Sequence, residues 1–139
     1  MAVVTGTVQA VAGFTSNGPT LKHTISSDEW ETECCFITVT FPAGTYAAAG
    51  NAEFDAATAI ENSKRDGKAV TVLGGVWVSA GDENGAVISA GPCTVSGDKI
   101  LCELWQEDIT TERADGAMSA TWNRPLTFCV AFRTKVNGE

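Results

Sequence analysis

The chain predicts an all-β fold, a jelly roll or β-sandwich of eight to nine short strands with one short helix. Three observations carry that expectation. Short runs alternate apolar and polar residues with the period of two that puts successive strand side chains on opposite faces. Clusters of Gly, Pro, Asn and Asp punctuate those runs at turn positions. Only one stretch carries a helical pattern. The clearest run is Leu126–Arg133, where Leu126, Phe128, Val130 and Phe132 share one face and Thr127, Cys129, Ala131 and Arg133 the other.

Taken in order, Val3–Val11 is a Val/Thr-rich strand, and the cluster GFTSNGP from Gly13 to Pro19 is a turn. Leu21–Ser26 alternates again, with Leu21, His23 and Ile25 on one face. Ser27–Glu33 is polar and acidic with Trp30 at its middle, and reads as a loop. Cys34–Phe41 is a strand whose inward face is Cys35, Ile37, Val39 and Phe41, ended by Pro42 and Gly44. Asn51–Lys64 is the helix: Asn51 as N-cap, Asp55 near the positive end of the dipole, Lys64 and Arg65 near the negative end, and Phe54, Ala57 and Ile60 as the apolar stripe. Gly67 ends the helix or the loop after it.

In the strand Val70–Val78, Val70, Val72, Val76 and Val78 fall on one face, while Leu73 and Trp77 make the other apolar too. A strand apolar on both faces is covered twice or meets a partner. Asp82-Glu83-Asn84-Gly85 is a hairpin turn, because Asn-Gly accepts positive φ. Ala86–Ala90 and Cys93–Ser96 are short strands on either side of Gly91-Pro92, and Gly97-Asp98 turns the chain again. Lys99–Glu107 points Ile100, Cys102 and Leu104 inward. Asp108–Gly116 is a polar loop, Ser119–Trp122 a brief strand, and the last strand runs from Leu126 to about Val136.

At 139 residues the chain is most simply one domain, residues 1–139. A domain near that size removes roughly two-thirds of its unfolded surface from water. Nine Lys and Arg face seventeen Asp and Glu, a formal charge of −8. That balance argues against nucleic acid and against anionic membrane surfaces, both of which attract basic footprints. No stretch approaches the roughly 20 apolar residues of a membrane span. No basic residue precedes the apolar Met1–Phe14, so it reads as a first strand rather than a signal peptide. The five cysteines, Cys34, Cys35, Cys93, Cys102 and Cys129, read as reduced thiols used as small buried hydrophobes.

Catalytic equipment is sparse, and no catalytic, metal or cofactor residues are assigned. His23 is the sole histidine and sits in phase with Leu21 and Ile25, as a core or sheet-edge residue does. Cys34 and Cys35 are adjacent, so on a strand they point to opposite faces and do not share a metal ion. The acidic run Asp28, Glu29, Glu31 and Glu33 reads as a solvated loop rather than the carboxylate pair of a glycosidase. Asp82-Glu83-Asn84-Gly85 lacks the length and ligand count of a calcium loop. The tryptophans are more informative. Trp77 reads as core. Trp30 and Trp122 sit in or beside polar loops, and Trp105 is out of phase with the inward set of its strand. Tryptophan and arginine are typical anchors of protein contacts, which makes Trp30, Trp105, Trp122 and Arg124 the candidate interface residues.

Two segments carry a family resemblance: Phe36–Ile60 (FITVTFPAGTYAAAGNAEFDAATAI) and Glu112–Phe132 (ERADGAMSATWNRPLTFCVAF). The strand–FPAGTYAAAGNA–helix passage resembles small virion proteins of tailed bacteriophages, and the whole chain looks like a capsid cement (decoration) protein of a short-tailed phage. The resemblance implies a non-enzymatic virion protein, made in the host cytoplasm, that attaches to the outer surface of an expanded HK97-type shell. Its partner would be the major capsid protein, with self-association as a dimer or trimer on the lattice. The alternative is another phage virion module: a tail or head-fibre part, or a glycan-binding jelly roll.

Overall fold

A computed structural model of the chain describes residues 3–15, 21–25, 28–48 and 52–135, with side chains from residue 29 onward in the second and third of those segments taken together. The protein is all-β with one helix, its sheets curled into a half-barrel consistent with the sandwich and jelly-roll class. Thirteen strands form among the described residues, and eight of them are four residues or longer.

One sheet joins β2 (Thr7–Ala12), β3 (Leu21–Ile25), β4 (Asp28–Thr40), β7 (Thr71–Ser79) and β13 (Leu126–Lys135). Its order is β2-β4-β13-β7, with β3 also paired to β4. The second sheet runs β1 (Val4–Thr5), β6 (Ala52–Asp55), β10 (Lys99–Gln106), β9 (Ala86–Ser96), β8 (Gly81–Glu83) and β12 (Trp122–Arg124). A small ribbon pairs β5 (Thr45–Tyr46) with β11 (Gly116–Ala117). The alternations read from the sequence face each other across the interior. Leu126, Phe128, Val130 and Phe132 of β13 meet Cys35, Ile37 and Val39 of β4, with Ile100, Cys102 and Leu104 arriving from β10, all buried. Phe54 and Phe128 join the two sheets, their ring centroids 4.9 Å apart.

The first strand predicted over Val3–Val11 divides at Gly6, so that β1 pairs with β6 in one sheet and β2 with β4 in the other. A Cβ at Gly6 would stand 2.5 Å from Val39 Cγ1 and 2.8 Å from Phe41 Cε1. Only a residue without a side chain lets the backbone cross between sheets there.

The acidic run is not a loop. Residues 28–33 form the first half of β4, which stays in register with β13 from Val39↔Leu126 to Trp30↔Lys135. Its charges were misleading because one is internal: Glu33 is buried against Lys64, 2.7 Å away. The helix is also shorter than expected. Phe54 belongs to β6, and α1 covers Ala56–Lys64. Asp55, not Asn51, is the N-cap: its carboxylate accepts from Thr58 N at 2.9 Å and from Thr58 Oγ1 at 3.0 Å. Asn51 itself lies outside the described residues. The helix closes at Arg65 in the left-handed region, φ 54°.

β7 departs from strict alternation. Val72 pairs with Phe132 and Gly74 with Ala131, which leaves Leu73 as an extra residue, a β-bulge. The bulge exchanges faces: Val70 and Val72 point inward, whereas Val76 and Val78 are exposed and Trp77 packs against the core. The two strands expected around Gly91-Pro92 are one strand, β9. Cys93 pairs with Cys102 and Ala90 with Leu104, so Gly91-Pro92 face the single residue Glu103 in another bulge. Proline is tolerated there because the ladder does not need its missing N–H. The Asn84-Gly85 hairpin forms as read, with φ 51° and 97° and Gly85 N donating to Asp82 Oδ1 at 2.6 Å. The brief strand near Ser119–Trp122 is displaced to β12, Trp122–Arg124. Residues 16–20 of the expected turn and Val136 lie outside the described residues, as does the His23 side chain; the register sets His23 opposite Trp30.

Candidate interaction surface

The two faces of the β2-β4-β13-β7 sheet differ in kind. The inner face is the core. On the outer face the register lines up Ala12, Phe36, Cys129 and Val76 as one row across four strands. Phe36 is 46% exposed, Val76 60% and Val78 46%, so the centre of the face is apolar and open. Toward the Trp30 end of β4 and the Lys135 end of β13, the charged side chains described on the outer face are Arg133 and Lys135. The Arg133 guanidinium carbon lies 4.2 Å from the centroid of the Trp30 ring, and Lys135 Nζ 5.5 Å from it. A cation over an indole face is held by the ring quadrupole. The Trp30 Nε1 and Arg133 Nε atoms are buried and make no hydrogen bond.

The four residues singled out from the sequence do not converge. Trp30 is half-buried on this outer face. Trp105 is half-buried on the outer side of the other sheet, its indole laid over Gly91 so closely that a Cβ there would collide with it. Trp122 and Arg124 do sit together on β12, the edge strand paired with β8. Trp122 is partly structural: its Nε1 donates to Phe41 O at 3.2 Å and its ring lies 6.2 Å from that of Phe41. Arg124 is exposed, its Nε donating to Ala80 O at 3.2 Å. Phe36, Val76, Val78 and Arg133 were missed. Their signal was present in part, since β7 reads as apolar on both sides and Phe36 interrupts the polar face of β4. The Leu73 bulge hid which of the β7 residues point outward.

Several acidic groups are committed to the fold. Glu83 receives both arms of Arg113, Nε and Nη2 each at 2.8 Å, and Ser119 N at 2.8 Å. Arg113 also donates to the Ala117 carbonyl at 3.0 Å. This bidentate pair anchors the Asp108–Gly116 loop to β8. Tyr46 donates to Glu112 and accepts from Leu104 N, and burial pushes its phenol pKa up, with the Glu112 hydrogen bond adding to the shift. Asp82 serves the hairpin turn and Asn123 Nδ2. Asp108 accepts from Thr110 N and Thr111 N, and these bonds, with that of the Thr111 hydroxyl, hold its carboxyl down at about 2. A cleft of about 490 Å³ between β2 and α1 contains one carboxylate, the helix-capping Asp55.

All five cysteines are free thiols. Cys35 and Cys102 are buried as expected of core hydrophobes, but Cys34, Cys93 and Cys129 are only half-buried. Burial pushes the Cys35 thiol up to about 12, with nearby Cys129, Cys34 and Glu33 adding to it. Among the described residues no helix is long and apolar enough to cross a membrane, and no three His, Cys, Asp or Glu side chains group as metal ligands. No protein-family model, curated protein or solved structure matches the chain.

Proposed function

We propose that the protein is a structural virion component that binds the outer surface of an HK97-type phage capsid and cements neighbouring major capsid subunits, without catalysing a reaction. The observation that carries this reading is the apolar row of Phe36, Cys129 and Val76, with Phe36 and Val76 exposed, on the outer face of a sheet whose inner face forms the core. Large exposed apolar patches on a globular protein mark interaction sites. The commitment of Glu83, Asp55 and Asp108 to capping and loop anchoring also favours binding over acid–base chemistry. The resemblance of Phe36–Ile60 and Glu112–Phe132 to phage virion proteins supplies the partner. A specific interface buries at least about 1,000 Å², and attachment as a dimer or trimer would let several modest contacts act together.

The test is a shell-stability assay. Expanded capsids incubated with the purified protein should bind it and withstand more guanidinium chloride or higher temperature than bare shells. Shells equally stable with and without it would falsify the cement role. Electron microscopy that finds the protein on a tail or head fibre instead of across the capsid lattice favours the alternative virion module.

A further inference from the structure

The proposed attachment leaves open which face grips the shell and what chemistry meets it. Among the described side chains on the outer face of the β2-β4-β13-β7 sheet, the charged ones are Arg133 and Lys135, both basic, in a chain of net charge −8. Arg133 has no carboxylate partner among the described residues, and its guanidinium is stacked on Trp30. A stacked guanidinium is a preorganised fork for a carboxylate. Four residues along the same strand lies Cys129, in the apolar row with Phe36 and Val76. At strand rise that separation is about 13 Å.

We infer that this outer face is the docking face and that its occupant is an extended acidic–apolar protein segment, whose Asp or Glu carboxylate meets Arg133 on Trp30 while an apolar side chain four residues away covers Phe36 and Val76. The inference rests on the capsid-binding reading and specifies the partner surface within it. Charge complementarity selects this occupant. Among the described side chains, a second copy presenting the same face brings only Arg133 and Lys135 to meet Arg133. A nucleic acid backbone answers the cations but gives Phe36, Val76 and Val78 nothing to bury.

The experiment measures binding of the full chain and its variants to expanded shells. Val76→Asp and Arg133→Glu should each bind at least tenfold more weakly than the parent, and Arg133→Lys several-fold more weakly, because an ammonium lacks the planar fork. Val95→Asp, at an exposed position of β9 on the other sheet, should bind as the parent does. Unfolding curves of each variant are recorded beside the binding data, and Val76 and Arg133 are replaced on the open face, so a folded variant that fails to bind supports the inference. Val76→Asp and Arg133→Glu within twofold of the parent overturn the docking face while the cement role stands. Loss with Val76→Asp but not with Arg133→Glu overturns the acidic occupant. A parent that dimerises through this face, with Val76→Asp monomeric in sedimentation, makes the occupant a second copy and overturns it as well. A parent that binds no shell overturns both readings.

Discussion

At the scale of single residues, two ion pairs and one indole set the stability. Glu83 and Arg113 are nearly buried and satisfy one another through two hydrogen bonds. Removing one member strands the other charge away from water, which costs about 3–5 kcal/mol. Arg113→Ala should therefore lower stability by about 3 kcal/mol in urea unfolding, and free the Asp108–Gly116 loop to proteolysis. Glu33 and Lys64 form the second pair, with Lys64 Nζ 5.3 Å from the Phe14 ring and 5.7 Å from that of Phe132. Trp122 illustrates how a residue read as an anchor can also be a strut. Truncating a large buried aromatic costs about 3–5 kcal/mol, and Trp122 is half-buried. Trp122→Ala should lose about 2 kcal/mol by thermal unfolding, so weaker attachment of that variant has to be judged against its stability.

At the scale of elements, the decisive devices are one cap and one bulge. Asp55→Ala removes the two bonds to Thr58 and should cost about 1 kcal/mol, measured as a drop in the urea midpoint. Leu73 is exposed, and Leu73→Ala should change stability by less than about 0.5 kcal/mol. Deleting Leu73 is a different experiment. It removes the extra residue, so Val72 and Gly74 become neighbours with their present partners while Val76 still faces outward and Trp77 inward, and the deletion variant should keep the fold with a urea midpoint close to that of Leu73→Ala. The regular elements were legible in the sequence: the inward sets of β4, β10 and β13, the Asn84-Gly85 hairpin and the region of the helix. What was not legible depended on distant partners. The acidic half of β4 is a strand because β13 and β3 pair with it and Lys64 answers Glu33, none of which a local reading contains. The candidate surface was half visible for the same reason. Trp30 was found, but Arg133, nine strands later in the chain, becomes its partner only through the β4–β13 register.

At the scale of the whole molecule, the buried thiols and Tyr46 make stability depend on alkaline pH. Cys35 titrates near 9.0 when unfolded and at about 12 when folded, while Cys93, Cys102, Cys129 and Tyr46 shift in the same upward direction, burial being the main cause. The folded state thus holds protons that the unfolded chain has released. The stabilisation is whole below the unfolded value and is lost as pH climbs from about 9 through the folded values. Urea midpoints should be level between pH 6 and 8 and should fall steadily above pH 9; a flat profile to pH 11 would contradict the burial of these groups.

The place of β13 has a consequence for how the protein is made. Of the described strands it leaves the ribosome last, yet it lies between β4 and β7 and pairs with both. A nascent chain stopped before Leu126 holds two unpaired strand edges and an outer face divided between β4 and β7. The row of Phe36, Cys129 and Val76 is therefore continuous only after β13 has paired with both of its neighbours.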